Sequence, residues 1–223
     1  MTAVVVAVAG VLGLLVGAVV NRAAGRFPWT SSDEAPDRRT IAVAVRAPVV
    51  ELATGVLFAL VAWRFGASWE LPAFLLFAAV AVLLTVIDLR HRLLPNRVIL
   101  PALAAGAVLL TVAAAAGDAW PALLRATLGA AVLFVVFLVL ALVSPRSLGM
   151  GDVKLAALVG LFLGWIGWGA VVVGGAAGFV VQALLAVVLL ASRRIGLRGE
   201  LPFGPAMLVG AAVAIGWSHL LVT

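Results

Sequence analysis

Two aspartates in this sequence lie where an apolar stretch meets a polar one. Asp88 follows the apolar stretch Leu71 to Ile87, and Asp152 precedes one that begins at Val153. An ionisable side chain attached to a membrane-type apolar helix is costly, so it usually faces a cavity or a bundle interior and serves a function. Two carboxylates in one partly desolvated site share a proton, and one acts as base while the other acts as acid. Such a pair can activate water and protonate an amide leaving group without a metal.

Glycines stand on the N-terminal side of Asp152. Gly149 and Gly151 flank Met150 in the sequence Gly-Met-Gly-Asp. Glycine permits positive φ and the close approach of another backbone, as an extended peptide substrate would require. A carboxylate at a helix N-terminus is also favoured by the helix dipole, so each acid taken alone is explained as a helix cap or a polar helix end. Two such acids on one side of a membrane favour the catalytic interpretation.

The composition is that of a membrane protein. The chain has 223 residues, of which 65% are apolar and 11% are charged, whereas a soluble domain carries roughly 25% charged residues. A helix needs about 20 mainly apolar residues to cross a bilayer. The apolar stretches are Ala3 to Val20, Ala47 to Ala62, Leu71 to Ile87, Val98 to Ala116, Pro121 to Val143, Val153 to about Ala170, Val171 to Ala191 and Leu201 to Leu221. The sequence predicts an all-α, polytopic transmembrane bundle of about eight helices that forms one integral membrane domain over residues 1–223.

Glycine spacing refines this picture. Only 11 residues lie between Asp152 and Gly164. The sixth helix therefore either continues through the Gly-Trp-Ile-Gly-Trp-Gly segment or starts below the membrane surface. Small residues four apart predict close helix packing at three Gly-xxx-Gly pairs, which are Gly13 with Gly17, Gly160 with Gly164, and Gly174 with Gly178.

The basic residues predict the orientation. With the N-terminus outside, 13 of the 15 Lys and Arg residues fall in inner loops, and only Arg64 and Arg125 lie on the other side. An even number of helices returns the C-terminus to the outside, and both aspartates lie at the inner surface. The hydrophilic segment 21–46 is then a short cytoplasmic loop. The absence of Cys, with only two His, predicts no metal site, and the lack of basic blocks interleaved with aromatics argues against nucleic-acid binding.

At these residues the chain resembles the type IV prepilin peptidases, which are membrane aspartyl proteases with a Gly-x-Gly-Asp motif. The resemblance covers about residues 13 to 210 and consists of five elements in order. They are Gly17 to Asn21 with Arg26-Phe27-Pro28; Arg46 to Leu52, which includes Glu51; Asp88 followed by Leu94-Pro95-Asn96; Gly149 to Leu155; and Pro202 to Pro205.

The resemblance implies removal of a short basic leader from prepilin or pseudopilin precursors at the cytoplasmic face of the bacterial inner membrane. It assigns catalysis to Asp88 and Asp152 and implies no cofactor for proteolysis. Residues that bind substrate or shape the site are expected among Gly149, Gly151, Lys154, Glu51, Asn21, Pro95 and Asn96. Many members also methylate the new N-terminus with S-adenosylmethionine and carry Cys-x-x-Cys in an enlarged first loop. This chain has no Cys and a short loop, so S-adenosylmethionine is expected only if methylation is retained.

Simpler alternatives stay open at this point. Lys154 anchors a helix end or lowers the pKa of Asp152, and Glu51 pairs with an Arg, contacts substrate or reaches to the surface. The two aspartates would also serve a small transporter as a proton or cation relay. Transport, however, favours charged groups near the midplane and paired repeats, and no repeat is visible here. A non-catalytic assembly subunit leaves Gly-Met-Gly-Asp unexplained.

Overall fold

The chain is described by a computed structural model over residues 2–27, 43–144, 148–192 and 201–217. These residues form eight helices and no strand, which confirms the predicted all-α, polytopic architecture. The helices are α1 (Thr2–Gly25), α2 (Val49–Phe65), α3 (Leu71–His91), α4 (Asn96–Gly117), α5 (Trp120–Val143), α6 (Met150–Ile166), α7 (Trp168–Ala191) and α8 (Gly204–Trp217). Five of them, α1, α3, α4, α5 and α7, are long and apolar enough to cross a membrane.

The helices divide into two compact units. The first unit, Met1–His91, contains α1 to α3, and the second, Arg92–Thr223, contains α4 to α8. In the first unit α1 packs along α2, and both contact α3. In the second unit α6 is central, because it contacts each of the other four helices. The single integral membrane domain stays a prediction.

The first Gly-xxx-Gly pair brings α1 and α2 together. A Cβ atom on Gly13 would lie 2.8 Å from the Cα of Gly55, and one on Gly17 would lie 2.7 Å from the Cα of Glu51. These distances leave no room for a side chain larger than hydrogen. The prediction of close packing at this pair is confirmed.

The second pair joins α6 to α5. Apart from Lys154, every side chain of α6 from Val153 to Trp165 is buried. A Cβ atom on Gly160 would overlap the carbonyl oxygen of Gly129, and one on Gly164 would overlap that of Arg125. The two backbones are therefore in direct contact, as small-residue packing predicts.

The third pair lies on α7. A Cβ atom on Gly174 would lie 2.5 Å from Leu163 Cδ1, and one on Gly178 would lie 3.1 Å from the Cα of Met207 in α8. Gly210 of α8 is equally constrained, since its Cβ would lie 2.5 Å from the backbone nitrogen of Gly178. All three predicted pairs thus serve helix packing.

The structure corrects the start of the predicted 21–46 loop. Helix α1 continues to Gly25, so residues 21–25 are helical rather than part of a loop. Two observations explain the extension: Ala24 is buried, and Arg22 lies in the last turn, where a positive charge is favoured by the helix dipole. The part of the loop from 28 to 42 lies outside the described residues.

The boundary between the sixth and seventh helices is also corrected. The sequence extends the sixth helix to about Ala170, but α6 ends at Ile166 and α7 begins at Trp168. Gly167 separates them with a φ of 157°, a conformation that residues with a side chain rarely adopt. Arg125 supports this end, because its Nη2 donates to the carbonyl oxygen of Trp165 at 3.3 Å.

Candidate active site

Asp152 lies in the first turn of α6, where the sequence predicts a helix start. Gly149 is the N-cap residue, and its N–H donates to Oδ2 of Asp152 at 3.0 Å. In return the N–H of Asp152 donates to the carbonyl oxygen of Gly149 at 3.0 Å. The capping explanation of Asp152 therefore holds, but it uses only one carboxylate oxygen. The cap contact is made through Oδ2.

The environment of Asp152 favours its protonated form. The residue precedes the apolar stretch that begins at Val153 and lies outside the five candidate spans. Burial raises the pKa of its carboxyl above the ordinary value of 3.8, and the two backbone N–H groups of Gly149 and Asp152 offset only part of that increase. A carboxyl group with a raised pKa keeps its proton to a higher pH than an ordinary carboxyl, as a general acid must.

The two glycines of the motif differ in what surrounds them. Neither glycine uses the positive φ that its lack of a side chain permits, and Gly149 has a φ of −87°. A Cβ atom on Gly151 would lie 2.8 Å from the Cβ of Leu94, whereas one on Gly149 would have Oδ2 of Asp152 at 3.6 Å as its nearest contact. Glycine is therefore required by packing at position 151 alone. The approach of a peptide substrate beside Gly149 stays a prediction.

Pro95, Asn96 and Lys154 are brought together in the second unit. Pro95 is the N-cap of α4 with an extended backbone, and its carbonyl oxygen accepts from the N–H of Val98 at 3.0 Å. Asn96 begins α4, and its Oδ1 accepts a hydrogen bond from Nζ of Lys154 at 2.9 Å. Burial dominates the pKa of Asp152 and raises it, which is opposite to the shift expected from the charge of Lys154.

Asp88 lies in the last turn of α3 and is 5% exposed. Among the described residues the buried polar or charged side chains are Asn21, Thr54 and Asp88. A negative charge at a helix C-terminus is disfavoured by the dipole, and a buried side chain is not a solvated helix end. A polar helix end is therefore a poor explanation for Asp88, and a functional role accounts for it better. The pairing of Asp88 with Asp152 stays a prediction.

Asn21 and Glu51 form a buried polar cluster in the first unit. The Nδ2 atom of Asn21 donates to the carbonyl oxygen of Val45 at 2.9 Å and to Oε1 of Glu51 at 3.1 Å. The N–H of Val45 donates to Oδ1 of Asn21 at 2.9 Å. Among the described residues Glu51 therefore bonds to the amide of Asn21, and its Oε2 is buried there without a hydrogen-bond partner. Sequence reasoning missed Val45 and named Leu94 only as part of a motif, because their contributions depend on backbone position and packing.

Residues 75–197 of this chain match the type IV leader peptidase family, which is more than half of its length. The prepilin leader peptidase/N-methyltransferase of Bacillus subtilis is 33% identical over 182 residues, which cover 79% of this chain and 68% of the relative. The chain belongs to the type IV leader peptidase family. Proteins of the same name from Stutzerimonas stutzeri and Pseudomonas aeruginosa are each 34% identical and cover 78% and 79% of this chain. No solved structure matches the chain.

As a member of the type IV leader peptidase family with several apolar helices, the chain is a multi-pass bacterial membrane protein. It spans 60% of the length of the Stutzerimonas and Pseudomonas relatives. The segment that matches the family contains both aspartates together with the Pro95–Asn96 step and the Gly-Met-Gly-Asp motif. Asn21 and Glu51 precede it.

Metal-ligating side chains do not cluster in the described part of the chain. No three His, Asp or Glu residues come together there in a way that could hold a metal ion, and the sequence has no Cys. The absence of a metal requirement stays a prediction. Asp33, Glu34 and Asp37 of the predicted loop lie outside the described residues.

Proposed function

We propose that this chain is a membrane aspartyl endopeptidase that removes the short basic leader from type IV prepilin-like or pseudopilin precursors. The observation that carries the proposal is membership of the type IV leader peptidase family, with Asp88 and Asp152 both inside the matching segment. The relatives are named for leader peptidase activity. The place of Asp152 at the N-terminus of α6, where burial raises the pKa of its carboxyl, and the burial of the Asp88 side chain support a chemical role for both residues.

The reaction needs one proton shared by the two carboxyl groups. The ionised carboxylate takes a proton from water as the water oxygen bonds to the scissile carbonyl carbon. The protonated carboxyl then gives its proton to the amine nitrogen as the carbon–nitrogen bond breaks. The first carboxyl keeps the proton from water, so the pair ends with one proton, as it began. The two apparent pKa values belong to the pair rather than to either residue.

The proposal is tested with the full chain in detergent and a synthetic precursor. The substrate carries a short basic leader ending in Gly before an apolar segment, and mass spectrometry identifies the products. Asp88→Asn and Asp152→Asn should each lower cleavage by at least about 100-fold, which is typical of losing a general acid or base. Asp118→Asn is the matched control, because Asp118 is a C-cap residue in the left-handed conformation that Asn adopts readily.

Two outcomes would contradict the proposal at different levels. If the wild-type chain leaves the precursor intact, the peptidase function is wrong. If the wild-type chain cleaves but one single variant at normal abundance retains full processing, the function stands and the two-aspartate mechanism is wrong.

Proteolysis by this chain is proposed to need no cofactor. Cleavage should therefore persist after treatment with a metal chelator and without S-adenosylmethionine. Adding S-adenosylmethionine to the same reaction and weighing the mature product tests methylation, because transfer adds the mass of one methyl group. An unchanged product mass would show that methylation has been lost.

The active site is proposed to face the cytoplasm. Since the chain has no Cys, single cysteines at the exposed positions Ala67 and Leu93 report on the two sides separately. In intact cells a membrane-impermeant maleimide should label Ala67→Cys, between α2 and α3, and spare Leu93→Cys, between α3 and α4. The reverse pattern would overturn the orientation that the basic residues predict.

A further inference from the structure

The segment Leu94-Pro95-Asn96 is fastened to the first turns of α6 at two points. At one point Gly151 packs against the side chain of Leu94, and a Cβ atom on the glycine would lie 2.8 Å from that of the leucine. At the other, Nζ of Lys154 donates to Oδ1 of Asn96 at 2.9 Å. Pro95 lies between the two points, and its ring restricts φ, so the contacts belong to one stiff segment.

The two residues of α6 that make these contacts lie on either side of Asp152 in the sequence. Gly151 precedes the acid directly, and Lys154 follows it by two residues. Residues two apart on a helix point about 200° apart, so Lys154 holds α6 on the side away from the Asp152 carboxylate. The carboxylate itself is held at Oδ2 by the N–H of Gly149. The first turn of α6 is thus held by two hydrogen bonds, one at the Asp152 carboxylate and one at Lys154, and by the packing of Gly151.

We propose that Asn96 and Lys154 are positioning residues, whose hydrogen bond fixes the first turn of α6 and with it the Asp152 carboxylate. Lys154 acts through this bond and not through its charge on Asp152. The inference rests on the proposed peptidase function and adds two residues to its machinery. The packing of Gly151 against Leu94 is the second contact that holds the two segments together.

The test compares four single variants and one double variant in the cleavage assay. Asn96→Leu and Lys154→Met each remove the bond, and Asn96→Asp keeps an acceptor oxygen for the ammonium. Thr111→Val is the matched control on α4, because the Thr111 hydroxyl is exposed and bonds only within its own helix. The pH dependence, kcat and KM are measured for each variant at equal membrane abundance.

Asn96→Leu and Lys154→Met should each lower kcat about 10-fold or more, since a hydrogen bond to a charged group is lost, with KM within about twofold of wild type. Asn96→Asp should stay within about threefold of wild type, and Thr111→Val should match it. The kcat of the double variant should be no lower than that of the less active single variant, because both changes remove the same hydrogen bond. The midpoints of the pH profile should stay in place in every variant.

Other results would overturn the inference. A shifted pH midpoint in Lys154→Met but not in Asn96→Leu would assign the lysine an electrostatic role. Losses that multiply in the double variant would show that the two residues act independently, and a loss confined to KM would place them against substrate.

Hydrogen exchange separates this inference from the proposed function. In the intact chain the backbone amides of residues 150–156 should exchange faster in Asn96→Leu and Lys154→Met than in Asn96→Asp or Thr111→Val. This difference in exchange does not depend on cleavage. A chain that cleaves no precursor would contradict the peptidase proposal, but the effect of the Asn96–Lys154 bond on α6 could still be measured. Equal exchange in all variants would overturn the fastening.

Discussion

The side-chain amide of Asn21 is paired with the backbone of Val45, since Oδ1 accepts from its N–H and Nδ2 donates to its carbonyl oxygen, both at 2.9 Å. The backbone adds a third bond, from the N–H of Ala44 to the carbonyl oxygen of Asn21 at 3.1 Å. Asn21 is fully buried. The chain that leads into α2 is therefore tied to the end of α1 by one asparagine.

Replacing this asparagine should destabilise the protein strongly. Asn21→Ala leaves the backbone groups of Val45 without partners, and we expect a loss of about 2–4 kcal/mol. Asn21→Asp should be worse, because it loses both donated bonds and places a second carboxylate beside Glu51. Thermal unfolding in detergent measures both. Thr111→Ala, which removes an exposed hydroxyl, should change stability by less than about 0.5 kcal/mol; equal shifts for Asn21→Ala and this control would contradict the role of Asn21.

The glycine contact between α5 and α6 should not tolerate a methyl group. Gly160→Ala places a Cβ atom into the carbonyl oxygen of Gly129, so we expect a loss of at least about 1–3 kcal/mol from overpacking. Gly216→Ala on α8 is the control, because nothing lies within 4 Å of the added atom. The control should be neutral or more stable by up to about 1 kcal/mol, since Ala favours helix. Equal unfolding temperatures for the two variants would show that the helices can separate at no cost.

The two glycines of the Gly-Met-Gly-Asp motif should respond differently to alanine. Gly151→Ala drives a methyl group into Leu94 and should reduce precursor cleavage by about 10-fold or more. Gly149→Ala meets no clash and should retain folding, because its φ of −87° suits alanine, so its cleavage rate reports on the approach of substrate. An inactive but folded Gly149→Ala would show instead that substrate occupies the space beside this residue.

Replacement of Asp152 by Asn should stabilise the chain at neutral pH. Burial raises the pKa of Asp152 above 3.8, so the folded state binds more protons than the unfolded state when the pH lies between the two pKa values. The contribution of Asp152 to stability therefore falls as pH rises through that window, and Asn, which never ionises, avoids the loss. Thermal unfolding at several pH values should show Asp152→Asn above wild type at pH 7, with the gap closing toward pH 4. A lower unfolding temperature for the variant at pH 7 would contradict burial as the dominant effect.

Most of the architecture follows from composition and spacing, because apolar length sets helix number and glycine spacing sets close contacts. The helix ends were harder to predict. Hydropathy does not report that Ala24 is buried, so it does not predict the extension of α1 to Gly25. It also does not distinguish Gly167, which separates α6 from α7, from the glycines before it.

The candidate site shows the same division. Asp88, Asp152 and the surrounding motif were recognised from residue types and order. The bond from Lys154 to Asn96 joins residues 58 positions apart, and the contact of Gly151 with Leu94 depends on side-chain packing. Neither leaves a periodic signal in the sequence, so only the fold reveals them.

The burial of α6 has a consequence for how the protein responds to its lipids. Helices such as α1 and α7 carry many exposed apolar side chains, and helices of that kind meet changes in bilayer thickness by tilting. Helix α6 is enclosed by α4, α5, α7 and α8, so its height is set by protein neighbours rather than by acyl-chain length. The carboxylate of Asp152, which sits at the end of this helix, should keep its depth in thin and thick membranes alike.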